Sequence, residues 1–235
     1  MIKRILLLSF VFTLFSCDEL QQIANEAVLA NPTNDQIGNG LKQALEFGVE
    51  RQVSELTKTG GFYQNEIVRI LLPEELQKVE TALRRVGLNS LADQGLIALN
   101  RTAEDAVKEA TPIFVNAIRN MSIQDAQQIL MGSDNSATQF LERQTTDELY
   151  KSFYPVVQNS FEKVGADEIW SNLISQYNSI PLTSNVNTDL SDYITKQAMQ
   201  GVFIMIAEEE KEIRNNVNAR TTDLLRRVFK LQDQG

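Results

Sequence analysis

Histidine is missing altogether from this 235-residue chain. That one absence removes the Ser-His-Asp triad, Cys-His nucleophiles, HExxH zinc sites, Glu-x-x-His di-iron sites and histidine-ligated haem. Cysteine occurs once, as Cys17, so the chain can form no internal disulfide. Only 5 prolines and 11 glycines punctuate the sequence, which leaves room for few loops. No run alternates apolar and polar residues as a half-buried strand does. No apolar run reaches the roughly 20 residues that a membrane-crossing helix needs. What is present favours helices: Ala, Leu, Gln, Glu, Lys and Arg dominate, and 43% hydrophobic residues suffice for a core. The expected fold is all-α, a single compact multi-helix domain with essentially no β-sheet.

Three segments are expected along the chain: 1–16 as a lipoprotein signal peptide, 17–32 as a lipidated tether and 33–235 as the helical domain. Lys3 and Arg4 form a positive leader, Ile5 to Phe15 an apolar run too short to span a bilayer, and Leu14, Ser16 and Cys17 keep the spacing of a lipobox. Phe15 is bulkier than the residue usual at its position. Acylation at Cys17 consumes the chain's lone thiol, and two or three acyl chains hold a protein at a membrane more firmly than one. The expected address is the bacterial cell envelope, lipid-anchored at a membrane, with the outer membrane and its periplasmic or surface face as the first assignment. Loss of Lys3 and Arg4 with the leader takes the formal charge from −9 to −11. An acidic chain of this kind is a poor partner for nucleic acid.

Stop signals divide the domain. Thr33 or Asn34 caps a helix running to about Lys58, ended by Gly60-Gly61. Phe62 to Leu72 is apolar without periodicity and is expected to be an ordered loop on the core. Pro73 opens a helix that Gly87 closes. A long helix follows from Asn89 or Ser90 to about Met121, which Pro112 should kink or divide. Ser122 caps a short helix ended by Gly132. Helices are expected over 136–144, 146–164 and 166–179, then a polar loop, then the strongest helix from Asp189 or Ser191 to about Asn215. Thr221 or Thr222 caps a last helix. The run Val79, Leu83, Val86-Gly87-Leu88, Leu91 is echoed 78 residues later by Val157, Phe161, Val164-Gly165-Ala166, Ile169; amphipathic helices with Gly stops also look alike without duplication.

From Gly61 onward a series of distinctive segments follows in order: Gly61-Phe62-Tyr63, Val68-Arg69-Ile70, Leu76 to Glu80, Leu83-Arg84, Asn100 to Glu104, Pro112-Ile113-Phe114, Asp125-Ala126, Ile129-Leu130, Asp192 to Thr195 and Met205 to Arg214. In these the chain resembles a bacterial family of exported proteins and lipoproteins known as domain of unknown function 4197. The resemblance implies one helical domain in the cell envelope. It implies no activity and carries over no catalytic residue.

Several strings invite chemistry. Lys58-Thr59-Gly60, Ser133-Asp134-Asn135 and Ser160-Phe161-Glu162-Lys163 reproduce the three signatures of penicillin-binding proteins, but in reversed order and without the strand those enzymes require. The run Glu208, Glu209, Glu210, Lys211, Glu212, Ile213, Arg214 follows an apolar segment. It reads either as the solvated end of a helix with i,i+4 pairs, or as one or two carboxylates turned inward onto a buried arginine, with Arg69, Arg84 and Arg101 as candidate partners. Such a pair is structural more often than catalytic. Nothing in the spacing singles out the two facing carboxylates of a glycosidase, and Asp134, Asn135 and Ser136 lack calcium-loop spacing. No metal and no cofactor are expected.

These observations favour a non-catalytic binding module. It would be held to a membrane through acylated Cys17 and would engage an envelope protein or a small apolar ligand. A carboxylate-based, sugar-directed hydrolase is the alternative.

Overall fold

The computed structural model describes residues 33–163, 166–179 and 190–232. The signal peptide, Cys17, the tether, Gly165 of the internal echo and the polar loop after residue 179 lie outside the described residues.

The described residues form nine α-helices and one 3-10 turn, with no strand among them. They are α1 (Asn34–Leu56), α2 (Glu74–Arg85), α3 (Asn89–Val107), α4 (Ala110–Arg119), α5 (Ile123–Leu130), α6 (Ser136–Lys163), α7 (Ala166–Asn178), α8 (Ser191–Asn215) and α9 (Asp223–Gln232). The all-α expectation is therefore met. None of these helices is long and apolar enough to cross a membrane.

Helices α3, α6 and α8 pack on one another at the centre. Their facing residues recur four apart, as a buried helical stripe requires: Leu99, Ala103 and Val107 on α3, Leu149, Phe153 and Val157 on α6, Ile194, Ala198 and Val202 on α8. Ala103 and Ala198 are the small residues of the α3 and α8 stripes, facing the larger Leu149, Phe153 and Val157 of α6. Helix α1 packs against α8 on one side, together with α4, α5 and α9, and α2 and α7 cover α3 on the other. Each fully buried Leu, Val or Phe in this core contributes about 1.5–3 kcal/mol relative to exposure.

Two boundaries differ from the sequence reading. Residues 136–163 form one helix, with no break near 144–146. Thr145 and Thr146 donate their hydroxyls to the Leu141 and Glu142 carbonyls at 2.7 and 2.6 Å, so neither competes for backbone outside the helix. Pro155 is on the exposed face, where the carbonyl it leaves free meets water. The expected Asn89-to-Met121 helix is divided, and the break falls at Lys108 and Glu109, not at Pro112 itself. The proline ring excludes the carbonyl four residues earlier, which is that of Lys108.

Caps fix the remaining ends. Thr33 and Gln36 form a capping box at α1, Ser122 and Asp125 another at α5. At α5 the Ser122 hydroxyl accepts from Asp125 N at 3.1 Å, and Asp125 accepts from Ser122 N at 3.0 Å. These Ser122 bonds hold the Asp125 carboxyl below its usual range. A carboxyl with a depressed folded pKa stabilises above its unfolded pKa, and that contribution is lost as pH falls through the folded value. Ser122→Ala is expected to cost about 1 kcal/mol in urea unfolding at neutral pH, and less of that difference should survive in acid.

Candidate functional site

The acidic run at the end of α8 folds into the protein. Glu208 is exposed, but Glu209 and Glu210 are buried. Glu210 Oε1 accepts from Ala137 N at 2.9 Å, and its Oε2 accepts from Thr138 N and Thr138 Oγ1, both at 2.8 Å. The carboxylate thus sits on the first amides of α6, where the helix dipole is positive. Arg214, one turn on, donates Nε and Nη2 to Glu210 Oε1 at 3.0 and 2.8 Å. It also donates to the last carbonyls of α5, Ile129 O at 2.7 Å and Leu130 O at 3.1 Å. One ion pair therefore closes the end of α5 and the start of α6 together, anion on the amides and cation on the carbonyls. The two side chains are 5% and 1% exposed.

Arg220, fully buried, does the same for α8: Nε bonds Ile213 O at 3.0 Å and Nη2 bonds Arg214 O at 2.8 Å. The guanidiniums of Arg214 and Arg220 both lie over the Phe229 ring, at 5.8 and 5.4 Å from its centroid. Glu209 turns to α1, accepting from Gln52 Nε2 at 2.6 Å and Arg51 Nη1 at 3.0 Å. A void of about 20 Å³ lies against this cluster among Leu41, Leu45, Gly48 and Ile206. That is room for one water.

The arginines expected as partners are elsewhere. Arg69 is exposed, donates Nε to the Tyr63 carbonyl and stacks on the Tyr63 ring at 5.1 Å. Arg84 pairs on the surface with Asp93 at 2.6 Å and Glu80 at 2.9 Å, which raises its pKa further. Arg101 is exposed on α3. The inward carboxylates take Arg214 and Arg51, and Arg69, Arg84 and Arg101 do not join them. For Glu210 the cation is Arg214, i+4 on the same helix; Glu209 takes Arg51 from α1.

A second polar group stands on α3. Asn100 is fully buried; its Oδ1 accepts from Ile70 N at 2.8 Å and its Nδ2 donates to Ile70 O at 2.9 Å. The side-chain amide thereby satisfies both backbone polar groups of Ile70 in this non-helical segment. One turn later Glu104 Oε1 accepts from Phe62 N at 3.3 Å. Asn100 and Glu104 so hold both ends of the non-helical stretch from Gly60 to Leu72. Gly60 has φ +85°, the left-handed conformation that turns the chain out of α1. Phe62 is buried against Gly201 of α8, where any Cβ would stand 2.6 Å from the ring. The sequence reading missed Asn100 and Glu104. The signal was present, since both fall on the buried stripe with Leu96 and Ala103.

Beside this clamp is a recess of about 250 Å³ lined by Thr59, Gly60, Tyr63, Gln64, Ile97, Arg101 and Glu104. Glu104 is 5% exposed. Burial pushes its carboxyl above the usual range, against the lowering effect of the Phe62 and Gly60 amides and of Arg101. A carboxyl with a raised folded pKa binds protons more readily in the native state, so stability is greatest below the unfolded pKa. It falls as pH rises through the folded value. Glu104→Gln is expected to lose this component, so that urea midpoints of wild type and variant converge toward acid pH. Parallel pH profiles would show that Glu104 is not the titrating group.

The penicillin-binding strings have no common site. Lys58-Thr59-Gly60 is the turn after α1, Ser133-Asp134-Asn135 precedes α6, and Ser160 and Lys163 stand at the far end of α6, with Ser160 buried.

The family model for DUF4197, described as a protein of unknown function, matches residues 31–230. The chain belongs to the DUF4197 family. The match spans the two caps built by Glu210 and Arg214 and the clamp built by Asn100 and Glu104. Comparison with curated proteins and with solved structures finds no match.

Proposed function

We propose that this DUF4197 chain is a cell-envelope lipoprotein, tethered through acylated Cys17, whose helical domain acts by binding and not by catalysis. The observation that carries the reading is the commitment of the inward-facing charges at the end of α8. Both Glu210 oxygens and the Arg214 guanidinium are spent on helix ends, and both Glu209 oxygens on α1. Glu210 and Arg214, each making five hydrogen bonds, are held to the fold and keep no free valence for a substrate, and Glu209 is held to α1. The void beside them has room for a water and not for an apolar ligand, which turns the binding surface outward. There the clamped stretch from Gly60 to Leu72 offers Tyr63, Ile67 and Leu71, with Ile67 and Leu71 well exposed for large apolar residues.

The hydrolase alternative has one observation in its favour, the raised carboxyl of Glu104 in a recess. Glycoside hydrolysis needs a second carboxyl about 5–9.5 Å away, and none lines that recess. Palmitate labelling with membrane fractionation tests the tether. Wild type is expected to label and to sediment with membranes, and Cys17→Ala to do neither; an unlabelled wild type would overturn the anchor. Incubation with cell-wall glycan tests the rest: the binding reading predicts no new reducing ends, whereas release that Glu104→Gln abolishes would establish the enzyme.

A further inference from the structure

We infer that the recess between the Gly60 turn and α3 is a saccharide subsite, in which Arg101, Glu104 and Gln64 take the hydroxyls of one sugar ring against the side chain of Tyr63. This rests on the binding reading and names its ligand class.

The charge pattern is the first argument. Arg101 and Glu104 stand one turn apart on one helix and both line the recess. A simple anion meets Glu104 unfavourably and a simple cation meets Arg101 unfavourably. A neutral ligand whose neighbouring groups each both donate and accept satisfies the two together, and adjacent hydroxyls do this. Hydrogen bonds from a neutral hydroxyl to an ionised partner are the stronger kind.

The walls are the second argument. Tyr63 gives an aromatic surface with a polar tip and Ile97 an apolar one, suited to the C–H face of a ring whose edge is polar. Gln64 adds a planar amide. Arg69, stacked on Tyr63 and bonded to its carbonyl, fixes that residue in place. The size is the third argument. About 250 Å³ is just under the roughly 300–1,000 Å³ of pockets for drug-sized ligands, which suits one substituted ring. Preorganisation is the fourth, because the Phe62 amide holds Glu104 and Arg69 holds Tyr63, so little ordering is lost on binding.

A zwitterionic amino acid answers the same charge pair, so the test separates the two. The full-length chain in a sugar-free detergent is examined by saturation-transfer difference NMR with the methyl glycosides of N-acetylglucosamine, glucose and galactose, and with alanyl-alanine. The expected result is transfer to the ring protons of at least one glycoside. Affinity should weaken by about tenfold or more in Arg101→Ala and in Glu104→Gln, the loss of one charge-assisted hydrogen bond. Arg101 is exposed, so its variant keeps the fold, and an unchanged urea midpoint verifies this. Transfer from the dipeptide alone, from no glycoside, or undiminished in both variants would overturn the proposal while leaving the binding reading in place. Cleavage of the corresponding aryl glycosides would overturn the binding reading itself.

Discussion

Glu210→Ala is expected to destabilise the domain by about 3–5 kcal/mol, because it leaves the Arg214 guanidinium buried without its counter-charge. Arg214 is 1% exposed in its side chain, so bulk water does not reach it to replace the carboxylate. The first amides of α6 also lose their acceptor. Single domains are stable by only about 5–15 kcal/mol, so the loss is a large part of the total. Arg214→Met is expected to cost a similar amount for the mirror reason: Glu210 stays buried, and the carbonyls of Ile129 and Leu130 lose their donor. The double variant Glu210→Ala/Arg214→Met removes both charges at once and should be less damaging than the two singles summed. Urea unfolding of the four proteins measures this. A single-variant cost below about 1 kcal/mol, the range of surface pairs, would mean that the pair is solvated.

Asn100→Ala is expected to cost about 2–4 kcal/mol and to free the Gly60-to-Leu72 stretch from the core. Both polar groups of the Ile70 backbone lose their partner in a buried setting, and an unsatisfied buried group costs about 1–3 kcal/mol. Asn100→Leu restores volume but not the bonds, so it should rescue little. Limited proteolysis adds a local readout, with cleavage between residues 64 and 71 accelerating in the variant while the helices stay protected. Unchanged cleavage there would show that Phe62 and Val68 hold the stretch by packing alone.

The helices were legible because their signals are local. Ser122 with Asp125, Thr33 with Gln36, and Gly60 each act within three or four residues, and the four-residue recurrence of Leu99, Ala103 and Val107 needs no knowledge of what lies opposite. The continuous α6 was not legible, since Thr145 and Thr146 favour either a break or an internal bond to Leu141 and Glu142 depending on packing. The orientation of Glu209 and Glu210 was hidden for a different reason. A run of four glutamates around a lysine reads as solvated, and what turns Glu210 inward is the start of α6, more than 70 residues away in sequence. Arg69, Arg84 and Arg101 were plausible partners by type, yet each is held by neighbours of its own or faces the recess. Asn100 and Glu104 could have been found by asking which polar residues interrupt the apolar stripe of α3, because a polar group there must have a buried partner.

The most direct test of tethered binding is native mass spectrometry of the full-length chain extracted from its own envelope in a sugar-free detergent. The account predicts a chain beginning at diacylated or triacylated Cys17 that carries a non-covalent companion, with mass in saccharide units, and predicts that Arg101→Ala and Glu104→Gln lose it while keeping the acyl chains. An unacylated chain, or a bare chain that turns over cell-wall glycan through Glu104, would contradict it.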